Sequence, residues 1–373
     1  MTLSYSHAHQ QGSGTTEVVA VLVAITAHTA RILTVDQGKL LPNGPLMPLH
    51  RSLQAGVRQW VEEQTQQPLG YLEQLYTFVD TNRRNDDGHA LVYVSYLGLV
   101  QETQTQLQSQ ALWRDWYDYF PWENHLDGMP VIIMEHIVPA LLRWADDAKE
   151  PDIQQRRRQR IGLCWGVSET VLNNCSQNKS VFSNKEINSQ PINNQEYENR
   201  EYENREWVAE HVLLRYEMLY EAGLIAEAPT YPPSYLSNFQ SGNARSVNSQ
   251  SNKAFKLSDN WSQFIGSPMY YDHRRVIATA ISRLRAKIEY RPLIFGLMPD
   301  VFTLSQLQQS VEALSGVPLH KQNFRRLLES QNLVLETGQS SSAQRGRPAK
   351  LYRFRHDIEL QSLLMDSKLP KRK

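Results

Sequence analysis

The chain has 373 residues, more than one hydrophobic core usually organises, so at least two compact domains are expected. Its 39 basic and 39 acidic side chains cancel, and 40% apolar residues suffice for packed cores. The two cysteines match no metal-ligand or redox spacing and exclude a disulfide-rich secreted protein, which favours a cytoplasmic location. The apolar run at residues 18–25 is too short to cross a bilayer and lacks the flanks of a signal peptide, so no membrane role is expected.

Strand and helix patterns alternate in the first part of the chain. Residues 17–36 are rich in Val, Ile, Leu and Thr, which predicts one or two strands with a turn near His28. Residues 72–78 and 89–100 also predict strands, and the second is almost wholly apolar, as in sheets covered on both faces. Residues 52–64, between the strand region at 17–36 and the strand at 72–78, predict a helix. Its apolar positions at helical spacing are Leu53, Val57, Trp60 and Val61.

Helical and low-complexity segments follow. Residues 111–148 predict two helical stretches that flank an aromatic-rich break at Pro121. Residues 173–206, which contain a tandem copy of Glu-Tyr-Glu-Asn-Arg, and residues 237–260 are dense in polar side chains. Such segments bury too little apolar area to offset chain entropy, so both are predicted to be disordered insertions. The small, polar residues 1–16 predict a disordered tail.

Residues 272–290 predict one further helix with a single apolar face. It would join the two domains, and a signal between them would have to cross it. A plain connecting helix without a signalling role is the alternative. The apolar face comprises Val276, Ile277, Ala280, Ile281, Leu284 and Ile288.

The C-terminal segment predicts a winged helix. From Arg291 to the end it holds 13 Lys or Arg against 7 Asp or Glu, so that the basic surplus of the chain is local. Residues 303–306 have the form of a capping box, and the helix they begin ends at Gly316. A second helix, at residues 321–331, has a basic outer face. Two short helices joined by a tight turn with glycine match a helix-turn-helix.

Residues 333–354 then predict a strand, a basic tip and a returning strand, which together form a wing. Guanidinium groups on a slim hairpin suit contact with phosphate or the minor groove of double-stranded DNA, and the helix before it suits the major groove. Solvated surface charges and a winged helix that binds protein are the alternatives. The predicted DNA contacts are Thr303, Lys321, Gln322, Asn323, Arg325, Arg326, Arg345, Arg347 and Lys350.

The predicted helix at residues 52–64 carries part of a known motif. Pyrophosphohydrolases of the Nudix family have the loop-helix sequence Gly, five residues, Glu, seven residues, Arg-Glu-apolar-any-Glu-Glu-any-Gly-apolar, whose glutamates hold divalent cations. This chain resembles that motif at Gly44, Arg58, Glu62 and Glu63. It departs from it at His50, Gln59, Thr65 and Gln66. A neutral amide at Gln59 can neither take a proton nor neutralise a cation as a carboxylate does, so catalysis is expected to be absent and no catalytic or metal-binding residue is assigned.

The whole chain from about residue 17 to 356, apart from the two polar insertions, resembles the Nudix-related transcriptional regulators of NAD metabolism, the NrtR group, and its NadQ-like branch above all. The resemblance implies a homodimeric repressor of NAD biosynthesis or salvage genes. It needs no cofactor, and its Nudix-like domain senses ADP-ribose, ATP or a related nucleotide. Residues 72–78, 113–122, 215–223, 272–275, 290–292, 302–307, 321–326 and 346–349 carry the likeness.

The predicted fold class is α+β, a Nudix-like mixed sheet flanked by helices, then a helical linker and a C-terminal winged helix-turn-helix. An active hydrolase of ADP-ribose or another nucleoside diphosphate derivative is the alternative function. The predicted nucleotide contacts are Arg58, Glu62, Glu63, Arg83, Arg84, Tyr117 and Trp122, with core packing as the alternative for the aromatic pair and a solvated loop for Arg83 and Arg84. The predicted domains are a tail (1–16), a sensing domain (17–165), a helical extension (166–271), a connecting helix (272–288) and a winged helix (289–373).

Overall fold

The computed structural model describes residues 16–84, 90–102, 107–168, 170–172, 207–230, 261–290, 294–341 and 348–355. The chain forms two compact units. One comprises Met1–Tyr119, Asn124–Gly128 and Met269–Lys373, and the other comprises Phe120–Glu123 and Met129–Pro268. The first unit therefore holds both the sheet and the winged helix, a different division from the domains drawn from the sequence.

A mixed sheet forms the centre of the first unit. Strands β1 (Thr16–Thr26) and β2 (Thr29–Thr34) form an antiparallel hairpin whose two turn residues, Ala27 and His28, have positive φ angles of 51° and 64°. Positive φ at both central residues is typical of the two-residue hairpin turn that matches strand twist. The strands and the turn near His28 are as predicted.

Strand β5 (Ala90–Leu99) runs parallel to β1, whereas β4 (Leu72–Arg84) pairs with β5 in the antiparallel sense and β3 (Asn43–Pro45) pairs with β1. The strand order is β4-β5-β1-β2-β6. Residues on both faces of β1 are buried, because the sheet is covered on both sides. This confirms the predicted mixed sheet.

Helix α1 (Leu53–Thr65) covers part of the sheet. The Ser52 hydroxyl accepts a hydrogen bond from the backbone N–H of Ala55 at 3.1 Å and caps its first turn. Val57 and Val61 are fully buried in a cluster that includes residues of β1. Burying a valine side chain contributes roughly 1.5–3 kcal/mol, so this face anchors the helix.

The prediction of a helix in the first part of residues 111–148 is wrong. Strand β6 (Leu112–Asp115) stands there, antiparallel to β2, and the Thr34 hydroxyl donates to the carbonyl of Leu112 at 2.8 Å. The strand forms because the edge of β2 offers backbone hydrogen-bonding groups. A local sequence pattern does not reveal a partner that lies so far away in the chain. Short 3-10 turns follow at Trp116–Asp118 and Pro121–Glu123.

The second unit is helical in its described part. A π-helical turn (Ile133–Ile137) leads into α2 (Val138–Asp146), which confirms the second predicted helical stretch, and α3 (Pro151–Trp165), α4 (Val212–Glu221) and α5 (Trp261–Ile265) follow. The predicted insertions at 173–206 and 237–260 lie outside the described residues.

Helix α6 (His273–Tyr290) returns the chain to the first unit and leads to the winged helix. The winged helix comprises α7 (Leu304–Ser315), α8 (Lys321–Ser330) and a hairpin of β7 (Val334–Ser340) and β8 (Lys350–Phe354). The predicted helix-turn-helix and wing are thus confirmed. Among the helices that the structure describes, none combines the length and the apolar character needed to span a bilayer.

Candidate functional site

A capping box begins the first helix of the helix-turn-helix. The Thr303 side chain accepts from the backbone N–H of Gln306 at 3.2 Å, and the Gln306 side chain accepts from the N–H of Thr303 at 2.8 Å. Gly316 ends α7 in the left-handed conformation with a φ of 76°. The half-buried Thr303, a predicted DNA contact, therefore caps the first turn of α7.

Helix α8 presents a cationic face. Phe324 and Leu328 are its buried residues, and the opposite face is exposed. Within the described part of the chain, no carboxylate pairs with a cation of this face, so the positive charge is available to a polyanion. The exposed side chains are Lys321, Gln322, Asn323, Arg325 and Arg326, all of them predicted DNA contacts.

The wing is joined to the start of α7. Phe302 and Tyr352 exchange backbone hydrogen bonds of 2.9 and 2.8 Å, and the rings of Phe302 and Phe354 lie 4.7 Å apart. Lys350 is exposed, but its ammonium lies 3.0 Å from a carboxylate oxygen of Glu336, which offsets part of its charge. The predicted contacts Arg345 and Arg347 lie outside the described residues.

A second candidate site lies in the loop-helix segment of the sheet. The N–H of Met47 donates to Nδ1 of His50 at 3.0 Å, so Nε2 carries the ring proton. Nε2 lies 3.0 Å from Oε1 of Gln59, whose amide nitrogen donates to Glu63 at 2.8 Å. These four residues form a directed chain of hydrogen bonds, the polar relay, that ends on a carboxylate.

Two glycines permit this close packing. A Cβ on Gly56 would lie 2.8 Å from Nδ1 of His50, and a Cβ on Gly44 would lie 2.2 Å from the Trp60 ring. Both distances are shorter than real Cβ contacts, so glycine at these positions lets the His50 loop and Trp60 pack closely. The Trp60 indole N–H donates to the carbonyl of Pro45 at 2.9 Å.

The polar relay does not fit the divalent cation that the Nudix motif implies. Its amide directs an N–H, not an oxygen lone pair, at Glu63, and Glu62 is simply exposed. In the described ranges, no three His, Cys, Asp or Glu side chains are grouped as a cation would need. The residues of the polar relay therefore do not fit a bound divalent cation.

The remaining predicted nucleotide contacts are placed apart. Arg58 donates to the carbonyls of Leu69 and Gly70 at 3.2 and 2.6 Å, so its guanidinium holds the loop after α1. Tyr117 is buried and donates to the carbonyl of Ala313 at 2.8 Å.

Trp122 is fully buried in the second unit, where its ring lies 6.0 Å from that of Trp165. For both aromatic residues the geometry favours the packing alternative. Arg83 and Arg84 end strand β4, and their side chains lie outside the described part.

Sequence reasoning missed the residues that join the sheet to α6. The backbone N–H of Leu41 donates to Nδ1 of His273 at 2.9 Å, and the Arg274 guanidinium donates twice to the carbonyl of Tyr119, at 3.1 and 2.6 Å. The Tyr119 hydroxyl donates to the carbonyl of Gly38 at 2.6 Å, and burial raises the pKa of that hydroxyl, which keeps it a donor. The available signal was the Asp-His-Arg-Arg run at the start of a helix with an apolar face.

The chain is similar to known proteins in its C-terminal part. Residues 294–354 match the family of NrtR DNA-binding winged helix domains. Over 84 residues, 22% of this chain and 33% of the relative, the chain is 43% identical to the ADPR responsive transcriptional repressor NtrR of Acinetobacter baylyi. The match thus spans about a third of the length of that curated relative.

Two solved structures are also similar. Shewanella oneidensis NrtR complexed with a 27mer DNA is 18% identical with a TM-score of 0.47, over 92% of this chain and 94% of that one. The NUDIX domain of the same protein complexed with ADP ribose is 24% identical with a TM-score of 0.26, over 32% of this chain and 80% of that one. Residues 294–354 therefore match a winged helix domain of the NrtR DNA-binding type.

Proposed function

We propose that this protein is a transcriptional repressor that binds double-stranded DNA through α8 and the wing and changes its DNA affinity when a nucleotide, ADP-ribose above all, binds the sheet. The observation that carries the proposal is the exposed cationic face of α8 inside an NrtR-type winged helix. The relative in Acinetobacter baylyi, a repressor described as ADPR responsive, supports the choice of effector.

The polar relay supports sensing rather than hydrolysis. A sensor needs to bind without turnover, and hydrogen bonds among His50, Gln59 and Glu63 stand where the hydrolases place metal-binding carboxylates. A concave site can keep its shape while it loses the charge that drives the chemistry. We infer that the protein binds a diphosphate nucleotide without cleaving it, and that Glu62 and Glu63 flank the ligand.

Nucleotide binding can release DNA only if the two ligands favour different arrangements of the protein. A coupling of about 3 kcal/mol would change DNA affinity roughly a hundredfold. The control of NAD biosynthesis or salvage genes, the homodimer and the NadQ-like branch stay predictions from the sequence.

A mobility-shift assay tests the proposal. The DNA fragments are the region upstream of the gene and the promoters of NAD genes, each with and without ADP-ribose, ATP and NAD. We expect a sequence-specific complex that one nucleotide weakens or strengthens. Arg156→Ala removes an exposed cation of α3 in the second unit, away from α8 and the wing. It serves as a control for the loss of a surface charge, and we expect it to leave DNA binding unchanged. Binding without sequence preference would refute the proposal.

A further inference from the structure

The C-terminal end of α7 is held by donors from outside the winged helix. The last carbonyls of a helix have no partner within it and must find one elsewhere. Here the Tyr117 hydroxyl donates to Ala313 at 2.8 Å, Nε of Arg285 donates to Leu314 at 3.0 Å, and the backbone N–H of His125 donates to Gly316 at 2.7 Å. We call these three hydrogen bonds the carbonyl clamp.

The carbonyl clamp is buried. Tyr117 is 8% exposed and Arg285 is 2% exposed, and Ala313 and Leu314 are buried as well. Water therefore cannot replace a broken bond at little cost, and the hydrogen bonds keep their direction. Because α8 follows α7 after one short turn, the clamp fixes the end of α7 from which the DNA-binding helix starts.

Two paths lead from the clamp towards the sheet. Tyr117 lies two residues after Asp115, the last residue of β6, and the Asp115 side chain accepts from the N–H of Tyr117 at 2.8 Å. Arg285 lies on α6, whose first residues, His273 and Arg274, are hydrogen-bonded to Leu41 and Tyr119 in the segments that follow β2 and β6. A shift of β6 or of α6 is thereby delivered to the same turn of α7.

We propose that Tyr117 and Arg285 are positioning residues that pass the state of the nucleotide-binding sheet to the DNA-binding helix through the carbonyl clamp. The inference rests on the proposed function, since it needs an effector whose binding alters DNA affinity. The proposal requires a second arrangement of α7 that nucleotide binding favours, since packed interfaces shift between discrete arrangements and amplify small displacements at a binding site. Loss of one clamp bond would weaken the coupling between the two sites without changing a contact to either ligand.

Tyr117→Phe in the full-length protein tests the inference, because it removes a single hydroxyl and keeps the ring. The matched control is Ser95→Ala, which removes a buried hydroxyl whose 2.8 Å bond to the carbonyl of Tyr76 joins β5 to β4 within the sheet. The measured quantity is the ratio of DNA affinities without and with ADP-ribose. In Tyr117→Phe we expect this ratio to move about fivefold closer to one, the equivalent of one buried hydrogen bond, while Ser95→Ala keeps the wild-type ratio.

Two further measurements separate positioning from a merely structural role. The affinity for ADP-ribose alone is expected to be the same in Tyr117→Phe as in wild type, and hydrogen exchange at residues 313–316 is expected to rise. Arg285→Lys, which keeps a cationic donor, is expected to retain more of the ratio than Arg285→Met.

The outcomes are distinguishable. A wild-type protein whose DNA affinity responds to no nucleotide overturns the proposed function and the inference with it. A wild type that responds, together with a Tyr117→Phe variant whose ratio is unchanged, overturns the inference alone. Equal loss of the ratio in Tyr117→Phe and Ser95→Ala also overturns it, because the effect would then follow from removal of any buried hydroxyl in the first unit.

Discussion

Nε2 of His50 lies 3.0 Å from Oε1 of Gln59, so the two residues at which the sequence is expected to depart from the Nudix glutamates are hydrogen-bonded to each other. The neighbouring bond from Gln59 to Glu63 then orients a carboxylate that could otherwise face a cation. The two residues thus belong to one polar relay. Its last bond gives the Glu63 carboxylate a hydrogen-bond donor from the same helix.

Gln59→Glu is expected to create a cation site that the wild type lacks. The new carboxylate would stand one helical turn before Glu63, a like-charged pair that destabilises a helix by about 0.2–0.5 kcal/mol until a cation neutralises it. We therefore expect Mg²⁺ to raise the unfolding temperature of Gln59→Glu and to leave that of the wild type unchanged, as measured by thermal unfolding with and without the cation.

Gln64→Glu is the matched control, because it adds one carboxylate to the same helix at a position bonded to Asn43 instead of the polar relay. Its unfolding temperature should not respond to Mg²⁺. Mg²⁺-dependent release of AMP or phosphate by the wild type, abolished by Glu63→Gln, would contradict the prediction and favour the hydrolase.

Arg325→Ala is expected to weaken binding to the operator more than binding to unrelated DNA. Arg325 is exposed on the recognition face of α8, and a side chain that reads base edges is worth about 1–3 kcal/mol of discrimination. Arg347→Ala, at a DNA contact predicted from the sequence, should weaken both kinds of binding and flatten the dependence on salt. Affinities measured on both DNAs over a series of salt concentrations distinguish the effects of the two variants. Equal effects of the two variants would show that the roles of helix and wing are misassigned.

The parts of the fold that could be predicted depend on local chemistry. Thr303 and Gln306 form a capping box within a single turn, and Gly316 is needed for a positive φ where α7 ends, so a short stretch of sequence determines both features. The helix at Leu53–Thr65 follows in the same way from its apolar spacing and its capping Ser52.

The remaining features depend on partners distant in the chain. Strand β6 at Leu112–Asp115 exists because β2 offers an open edge 78 residues earlier, as the bond between Thr34 and Leu112 shows. Tyr117 could be assigned as a stacking residue from its aromatic neighbourhood, but its partner Ala313 lies 196 residues away. Local periodicity contains no information on such pairs, and for that reason the carbonyl clamp was not predicted.

Glu123→Gln is expected to destabilise the second unit strongly. The Glu123 carboxylate accepts two bonds from Arg215, at 2.6 and 2.9 Å, and both side chains are 0% exposed. The Arg215 guanidinium also lies 3.8 Å from the centre of the Trp207 ring. Removing one partner of a buried pair leaves the other charge uncompensated and costs about 3–5 kcal/mol.

Glu221→Gln supplies the comparison, because its pair with Arg160 is about half exposed and such surface pairs contribute about 0–1 kcal/mol. Chemical denaturation of the two variants measures the difference in the free energy of unfolding. Similar losses in both would show that burial of the Glu123–Arg215 pair has no special weight.

Asp115→Asn is expected to stabilise the protein at pH 7 and to have little effect near pH 4. Burial raises the pKa of the Asp115 carboxyl above its usual value of 3.8, so the ionised form is disfavoured in the folded protein. A group with a raised folded pKa contributes stability below its unfolded pKa and loses that contribution as the pH rises through the folded value. Asparagine keeps an oxygen to cap the N–H of Tyr117 and carries no charge, so the variant avoids the loss. Unfolding temperatures of wild type and variant should therefore differ at pH 7 and converge on acidification, whereas a constant difference at every pH would mean that ionisation of Asp115 is not the cause.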